Sequence, residues 1–117
     1  MKKNVLLLVF LIVSATGFAQ KKYAKTYAYD DYNKDWALVK TNSSTYGFVD
    51  RKGTVVVQPI YTKIGKFGEY DKDLALIRNV SEGYGFIDRS GKEVIPAIYE
   101  LDYIKTNFKT LQKKMSK

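Results

Sequence analysis

The sequence contains no cysteine and no histidine, and these two absences exclude most of the common catalytic chemistry. Without histidine the chain lacks the usual general base, the Ser-His-Asp and Cys-His nucleophile systems, and zinc sites of ordinary composition. Without cysteine no disulfide can stabilise the fold, so a small domain must rely on packing. No Ser-x-x-Lys motif occurs, and no glycine-rich phosphate loop opens a helix. The chain is therefore predicted not to be an enzyme and to need no metal or cofactor.

Carboxylates remain as candidate catalytic groups. Asp30, Asp31 and Asp35 cluster in the stretch YDDYNKDW, but they lack the Asp-x-Asp-x-Asp-Gly spacing of a calcium loop, and a polar loop explains them. A glycosidase would need two carboxylates that face one cleft. An enzyme that acts on envelope polysaccharide or peptidoglycan through paired carboxylates is therefore one alternative, and a purely structural envelope protein is another.

The first nineteen residues have the pattern of a secretory signal. Lys2 and Lys3 precede an unbroken apolar run of nine at residues 5–13, and the small residues of SATGFA surround a cleavage site after Ala19. A membrane-spanning helix needs about 20 apolar residues, so we predict cleavage rather than a transmembrane span. The mature chain is expected to begin at Gln20 and to be periplasmic, on the cell surface or secreted.

Charge narrows the choice of partners. Removing Lys2 and Lys3 lowers the formal net charge from +8 to +6. A basic exported protein meets anionic envelope polymers or acidic proteins rather than nucleic acid. We therefore predict a protein or an anionic envelope polymer as the partner, and no nucleic acid.

One phrase of eight residues occurs twice, as YGFVDRKG at residues 46–53 and as YGFIDRSG at residues 84–91. Aligned at an offset of 38, residues 23–61 and 61–99 are identical at 17 of 39 positions without a gap. Chance does not produce such an agreement, so the chain repeats one structural unit.

Each repeat is predicted to contain three short antiparallel strands. The predicted strands are residues 37–40, 46–49 and 54–57 in the first repeat, and 75–78, 84–87 and 92–95 in the second. Asp50 and Asp88 begin type I turns, where their carboxylates are expected to bond backbone N–H groups two residues on. Pro59 and Pro96 are predicted to end the pairing, because proline has no N–H to donate.

The pattern predicts an all-β fold in which repeats of about 38 residues, each a three-stranded meander or hairpin unit, stack in a small solenoid-like array. Alternation places Phe48 and Phe86 in the core, and their predicted partners are Leu38, Leu76, Val56 and Val94. Gly47 and Gly85 lie inside strands, where glycine marks a bulge or a close backbone approach.

The predicted organisation is a signal at residues 1–19, a repeat domain at 20–104 with repeats at about 29–66 and 67–104, and a basic tail at 105–117. In the tail, Phe108, Leu111 and Met115 have helical spacing. This spacing predicts a short basic amphipathic helix that caps the last repeat or frays.

The two phrases resemble WG repeats, also called KWG repeats, whose pattern runs roughly Trp-Gly-(Phe/Tyr)-Ile-Asp-x-x-Gly. Matching positions are Gly47, Phe48, Asp50, Gly53, Val57 and Tyr61 in the first copy, and Gly85, Phe86, Asp88, Gly91, Ile95 and Tyr99 in the second. Tyr46 and Tyr84 replace the tryptophan that gives the family its name. Thr62 and Glu100 stand where the family has aspartate.

The resemblance covers residues 29–104 and implies a bacterial, often exported, binding or interaction module without a common catalytic site. Stacked arrays usually need about three repeats for stability. With two copies, the ends must be capped, or the protein must self-associate.

Aromatic residues are the candidate binding surface, because ten tyrosines and one tryptophan lie largely in the connecting segments. Such rings would form a platform for sugars or for peptide side chains. The alternative is that they pack in the core. The candidates are Tyr29, Tyr32, Trp36, Tyr61, Tyr70 and Tyr99. The predicted structural motif comprises Tyr46, Gly47, Phe48, Asp50 and Gly53 with their counterparts Tyr84, Gly85, Phe86, Asp88 and Gly91.

Overall fold

The computed structural model describes residues 23–115, which form seven strands followed by one helix. The elements are β1 Lys25–Tyr29, β2 Ala37–Lys40, β3 Tyr46–Val49, β4 Val55–Ile64, β5 Leu74–Asn79, β6 Tyr84–Asp88, β7 Glu93–Tyr99 and α1 Leu101–Met115. The strands form a single antiparallel sheet in chain order from β1 to β7. The predicted all-β fold with a C-terminal helix is confirmed. The predicted signal at residues 1–19 lies outside the described residues.

The turns of the repeated phrase form as predicted. Asp50 accepts hydrogen bonds through Oδ1 from the backbone N–H groups of Lys52 and Thr54, both at 2.9 Å. Asp88 accepts the two equivalent bonds in the second copy, at 2.9 and 3.0 Å. The turn glycine has a positive φ, which is 83° at Gly53, and this conformation favours glycine. Each aspartate therefore fixes the turn between a strand and its returning partner.

Strand β4 continues through Pro59, and the prediction that the two prolines end the strands is wrong. The first part of β4 pairs with β3, with Phe48 opposite Val57, and residues 61–64 pair with β5. Between these parts the register with β3 shifts, so Pro59 lies in a bulge where its missing N–H costs no ladder bond. Pro96 lies within β7 at an equivalent register shift.

Gly47 allows the close approach of β3 and β4 at this bulge. A methyl group on Gly47 would overlap the carbonyl oxygen of Val57 and would lie 2.7 Å from the Cα of Pro59. Gly85 has the same relation to β7, where an added methyl group would lie 2.7 Å from the backbone nitrogen of Ala97. The predicted close backbone approach is confirmed at both glycines.

The bulges also change which residues of the returning strands face inward. The residues buried as predicted are Leu38, Phe48 and Phe86. Val57 and Ile95 are buried, whereas the predicted core partners Val56 and Val94 are only half-buried. Leu76 is also half-buried. Val56 and Val94 still pack against the clusters that contain Phe48 and Phe86, so the predicted partners are confirmed. The fully buried residue of each returning strand is the next one along, because simple alternation does not continue through a register shift.

The repeats pack against each other as layers. The front face of the first repeat is defined by Leu38 and Phe48. The rear face of the second repeat is defined by Ala75, Ile77 and Ile87. These residues belong to one buried cluster. The rear face of the first repeat forms a separate cluster that contains Ala37, Val39 and Val49. The front of one repeat therefore packs on the rear of the next, as predicted for a stacked array.

The helix α1 takes the place of a third repeat. The front face of the second repeat, Leu74 and Phe86, forms a cluster with Ile104 and Leu111 of the helix. The ring of Phe108 lies 5.2 Å from that of Phe86 between centroids. The predicted capping helix is confirmed, and it begins at residue 101 rather than in the predicted tail at 105.

The helix has one irregular residue, Asn107, with φ −118° and ψ 19°. Its side-chain amide donates to the carbonyl oxygen of Tyr103 at 3.1 Å and so satisfies a backbone acceptor near the break. Within residues 23–115, no helix has the length and apolar character that crossing a membrane requires.

The approach at Gly47 gives a direct test of the bulge. Gly47→Ala should lower the free energy of unfolding by about 1–3 kcal/mol, because the backbone of β4 must move. Urea unfolding followed by the fluorescence of Trp36, the single tryptophan and a buried one, measures this. In the control Gly65→Ala, the new methyl group meets only the flexible side chain of Glu69, and the change should stay within about 0.5 kcal/mol. Equal losses in the two variants would contradict the prediction.

Candidate functional site

An arginine of the repeated turn holds each connecting segment. Arg51 pairs with Asp30 at 2.7 Å and with Asp35 at 2.8 Å, and its guanidinium lies 4.7 Å from the ring centroid of Tyr29. Asp31 pairs with Lys66 at 3.1 Å. The acidic cluster of the first repeat is thus occupied by ion pairs. In residues 23–115, no group of three or more acidic side chains is arranged to hold a metal ion.

Arg89 has the corresponding position in the second repeat and also connects the two repeats. Its guanidinium lies 4.6 Å from the ring centroid of Phe67 and 3.3 Å from a carboxylate oxygen of Asp73. Arg89 Nη1 donates to Asn33 Oδ1 at 2.8 Å, and Asn33 Nδ2 donates to the carbonyl oxygen of Arg89 at 3.1 Å. This reciprocal pair fixes the first connecting segment against the second turn.

Two of the six aromatic candidates are core residues. Trp36 is 7% exposed and Tyr61 is 6% exposed, so the prediction of a surface role is wrong for both. The Tyr61 hydroxyl donates to Glu93 Oε1 at 2.5 Å. Burial and this bond raise the pKa of Tyr61. The rings of Trp36 and Tyr61 fill the core of a small domain that has no disulfide.

The other four candidates are half-buried and make packing contacts. Tyr32 and Tyr70 meet Phe48 and Phe86 edge to face, at 5.3 and 5.4 Å between centroids. Tyr99 stacks on Tyr103 at 5.3 Å, and Tyr29 lies beneath Arg51. These six rings lie in separate contacts rather than in one continuous platform, and Tyr32 lines a groove.

That groove lies on the first repeat and has a volume of about 490 Å³. Its walls include the rings of Tyr27, Tyr32 and Tyr46, the side chain of Lys63, and the carboxylate of Asp31, which is paired with Lys66. Burial raises the pKa of Tyr32, so its hydroxyl remains a protonated donor at neutral pH. The groove thus combines flat apolar rings with hydroxyl and ammonium groups. Tyr27 and Tyr46 were not among the predicted binding residues.

A second groove, of about 480 Å³, lies between the second repeat and α1 and is lined by Asp71, Asp73 and Asp88. Asp71 accepts a bond from Gln112 at 2.5 Å, and Asp73 pairs with Arg89. Burial opposes ionisation of Asp88, but its bonds from Ser90 and Lys92 outweigh this and lower its pKa. A general acid at neutral pH requires the opposite shift.

Three exposed aliphatic residues lie in or next to the turn at residues 79–83, and we call them the edge patch. They are Ile60, Val80 and Ile98, which are 54%, 68% and 71% exposed. Tyr61 of β4 pairs with Asn79, the last residue of β5, so Ile60 of β4 and Val80 of the turn are the next residues beyond this pair. The backbone of β7 at residues 97 and 98 packs against Gly83 of the same turn.

The position shared by Ile60 and Ile98 is one of the repeat identities. The sequence thus carried a signal for the edge patch, but it could not show that the two side chains are exposed.

The comparison with protein families identifies the repeat. The family model described as "WG containing repeat" matches residues 46–79 and 84–101. The chain is a WG-repeat protein. In this WG-repeat protein the first matched stretch runs from the start of β3 to the end of β5, and the second runs from β6 into α1. Comparisons with curated proteins and with solved structures gave no significant match.

Tyrosine replaces the family's tryptophan at the first matched position of both stretches. Tyr46 and Tyr84 are half-buried, and each has a cation beside its ring, Lys40 at 6.0 Å and Arg78 at 5.7 Å from the centroid. A planar ring next to a cation therefore occupies the position in both copies.

The turn carboxylate of the second copy gives a pH test. The folded-state pKa of Asp88 is lowered, so its ionised form contributes stability that is present above the unfolded pKa and is lost as the pH falls through the folded pKa. We expect the wild type to be more stable than Asp88→Asn at neutral pH, with the difference narrowing below about pH 4.

Urea unfolding between neutral and acidic pH measures this difference. Glu100→Gln, which removes an exposed carboxylate outside the turn, is the control with the same change in net charge. A difference between wild type and Asp88→Asn that stays constant with pH would contradict the assignment.

Proposed function

We propose that this WG-repeat protein is a non-enzymatic binding module of the bacterial envelope, and that its edge patch holds a partner protein that presents aliphatic side chains. The observation that carries the proposal is the exposed isoleucine kept at the same position in both repeats, Ile60 and Ile98. Contiguous exposed apolar residues mark interaction surfaces more often than isolated ones.

The packing of the array supports this role. Buried side chains and the Arg89–Asn33 bonds fix the two repeats against each other. The three patch residues lie on strands and on a short turn of this fixed array. Next to the patch, Arg78 and Glu82 pair with each other at 2.6 Å. These two charges neutralise each other, which suits an apolar partner.

The engagement of the carboxylates supports a non-enzymatic role. Asp50 and Asp88 bond backbone N–H groups of their own turns, and Asp30, Asp35 and Asp73 pair with arginines. The proposed site of action is the periplasm, the cell surface or the medium. This part of the proposal depends on the apolar run and the small residues that precede Gln20.

Capture of partners from an envelope extract tests the proposal. The purified protein is exposed to the extract at physiological salt and at about 0.5 M salt, where surface charge attraction is largely screened. We expect a partner that wild type retains at high salt and that Ile60→Ser/Ile98→Ser loses. The control Gln58→Ser/Lys105→Ser changes two exposed positions outside the patch and should retain it.

The captured partner is then identified and its affinity is measured with purified proteins. Loss of every partner at high salt would mean that the net positive charge was the only attraction, and the proposal would fail. Retention by the isoleucine double variant would also overturn it. If the retained protein is a second copy of this chain, the patch is a self-association surface, and the proposal of a different partner protein is wrong.

A further inference from the structure

Two lysines face each other across strands β1 and β2. Lys25 and Lys40 are directly paired in the register, so their side chains lie on the same face of the sheet. Like charges directly opposite each other in a sheet are destabilising. Among residues 23–115, no carboxylate lies within ion-pair distance of either lysine. The chain therefore keeps an unfavourable charge pair without a partner of its own to neutralise it.

The second repeat shows how the same problem is solved internally. At an offset of 38 residues, Lys25 and Lys40 correspond to Lys63 and Arg78, which are also directly paired. There Glu82 forms an ion pair with Arg78 at 2.6 Å. The position equivalent to Glu82 in the first repeat is Ser44. The first repeat thus lacks the carboxylate that its counterpart contains.

Each of the two lysines lies next to a tyrosine ring that lines the groove of the first repeat. Lys25 Nζ lies 4.4 Å from the ring centroid of Tyr27, and Lys40 Nζ lies 6.0 Å from that of Tyr46. Both rings line the groove of the first repeat. In the second repeat, the position equivalent to Tyr27 is Gly65. The second-repeat groove is smaller, about 330 Å³ against about 490 Å³. Both grooves have one carboxylate in their lining, Asp31 in the first repeat and Glu69 in the second. An additional ring and the adjacent lysine pair without a carboxylate therefore distinguish the groove of the first repeat.

We propose that the groove of the first repeat binds an anionic saccharide, with Lys25 and Lys40 holding its carboxylate or phosphate group and Tyr27 and Tyr46 contacting the sugar ring. This inference does not depend on the edge patch and goes beyond the proposed protein partner. The C–H face of a sugar ring packs on an aromatic ring, and its hydroxyl groups bond tyrosine hydroxyls such as that of Tyr32.

A saccharide fits this groove better than an acidic peptide. The groove crosses β1 to β4, and four strands spaced about 4.8 Å apart span about 14 Å, which accommodates a short oligosaccharide. The backbone groups of β2 and β3 are already paired on both sides. A peptide lying across these strands could not add to the sheet, which is the main source of affinity for extended peptides.

Calorimetric titration of the protein, purified as the cell produces it, tests the proposal. The probes are a tetrasaccharide of galacturonic acid for the carboxylate, a mannose oligosaccharide carrying a terminal phosphate for the phosphate, maltotetraose as the neutral sugar, and tetraglutamate as the acidic peptide. We expect one or both anionic sugars to bind in the micromolar to low-millimolar range, and the neutral sugar and the peptide to bind at least about tenfold more weakly.

Matched variants separate the groove from general charge. Lys25→Ala/Lys40→Ala should weaken sugar binding by about tenfold or more. Lys34→Ala/Lys105→Ala removes the same charge from exposed positions elsewhere and should leave binding unchanged. Tyr27→Leu keeps apolar bulk but removes the aromatic ring, and it should weaken binding of the sugar.

The most informative variant is Ser44→Glu. It places in the first repeat the carboxylate that Glu82 provides in the second, at a residue with a nearly identical backbone angle, φ 63° against 70°. We expect Ser44→Glu to lower affinity for the anionic sugar while the resistance to urea is kept or raised. A folding defect cannot produce this combination.

Three results would overturn the proposal. The first is that neither anionic sugar binds the wild type. The second is that tetraglutamate binds as tightly as the sugars, which would mean attraction by charge alone. The third is that the Lys25/Lys40 and Ser44 variants bind the sugar as the wild type does. The edge patch is unchanged in every variant, so these results leave the capture experiment unaffected.

Discussion

The packing of the front of one repeat on the rear of the next is the contact on which the rest of the structure depends. One sheet of seven strands cannot bury both of its faces unless it turns back on itself, and β4 provides the turn by pairing first with β3 and then with β5. Tyr61, just beyond the bulge at Pro59, pairs with both neighbours, Tyr46 of β3 and Asn79 of β5. Gly47 allows the close approach of β3 and β4 at this bulge. With only two repeats, the front of the second would be exposed, and α1 covers it.

Much of this arrangement could be predicted from the sequence, because it depends on local chemistry. Aspartate and glycine at fixed positions specify the turns, and short β-branched and aromatic runs specify the strands. The passage of β4 through Pro59 could not be predicted, since a bulge depends on how two strands meet. The full burial of Val57 and Ile95 next to the half-buried Val56 and Val94 has the same origin. The burial of Trp36 and Tyr61 also could not be predicted from the sequence, because composition alone does not distinguish a core ring from a surface ring.

The comparison of the two repeats separates fold from function. Positions that are identical, such as the aspartate, glycine and phenylalanine of the repeated phrase, form the turns and the buried layers. Two positions that differ separate the grooves of the repeats. Tyr27 adds a ring to the first groove where the second has Gly65. Ser44 stands where the second repeat has Glu82, which pairs with Arg78. The edge patch is an exception, because its isoleucine is repeated yet exposed. Of the groove residues, Tyr32 was among the predicted candidates. The lysine pair could not be predicted from the sequence, since Lys25 and Lys40 meet only through the strand register.

Amide hydrogen exchange in wild type and in Leu111→Asp tests most directly whether α1 serves as the third layer. The substitution places a charge in the cluster that Leu111 shares with Phe86. In a stack each layer contacts only its neighbours, so we predict the largest loss of protection in β6 and β7, with a smaller loss in β2 and β3. Unchanged protection of β6 and β7 in a chain that remains folded would contradict the role of the helix as a cap.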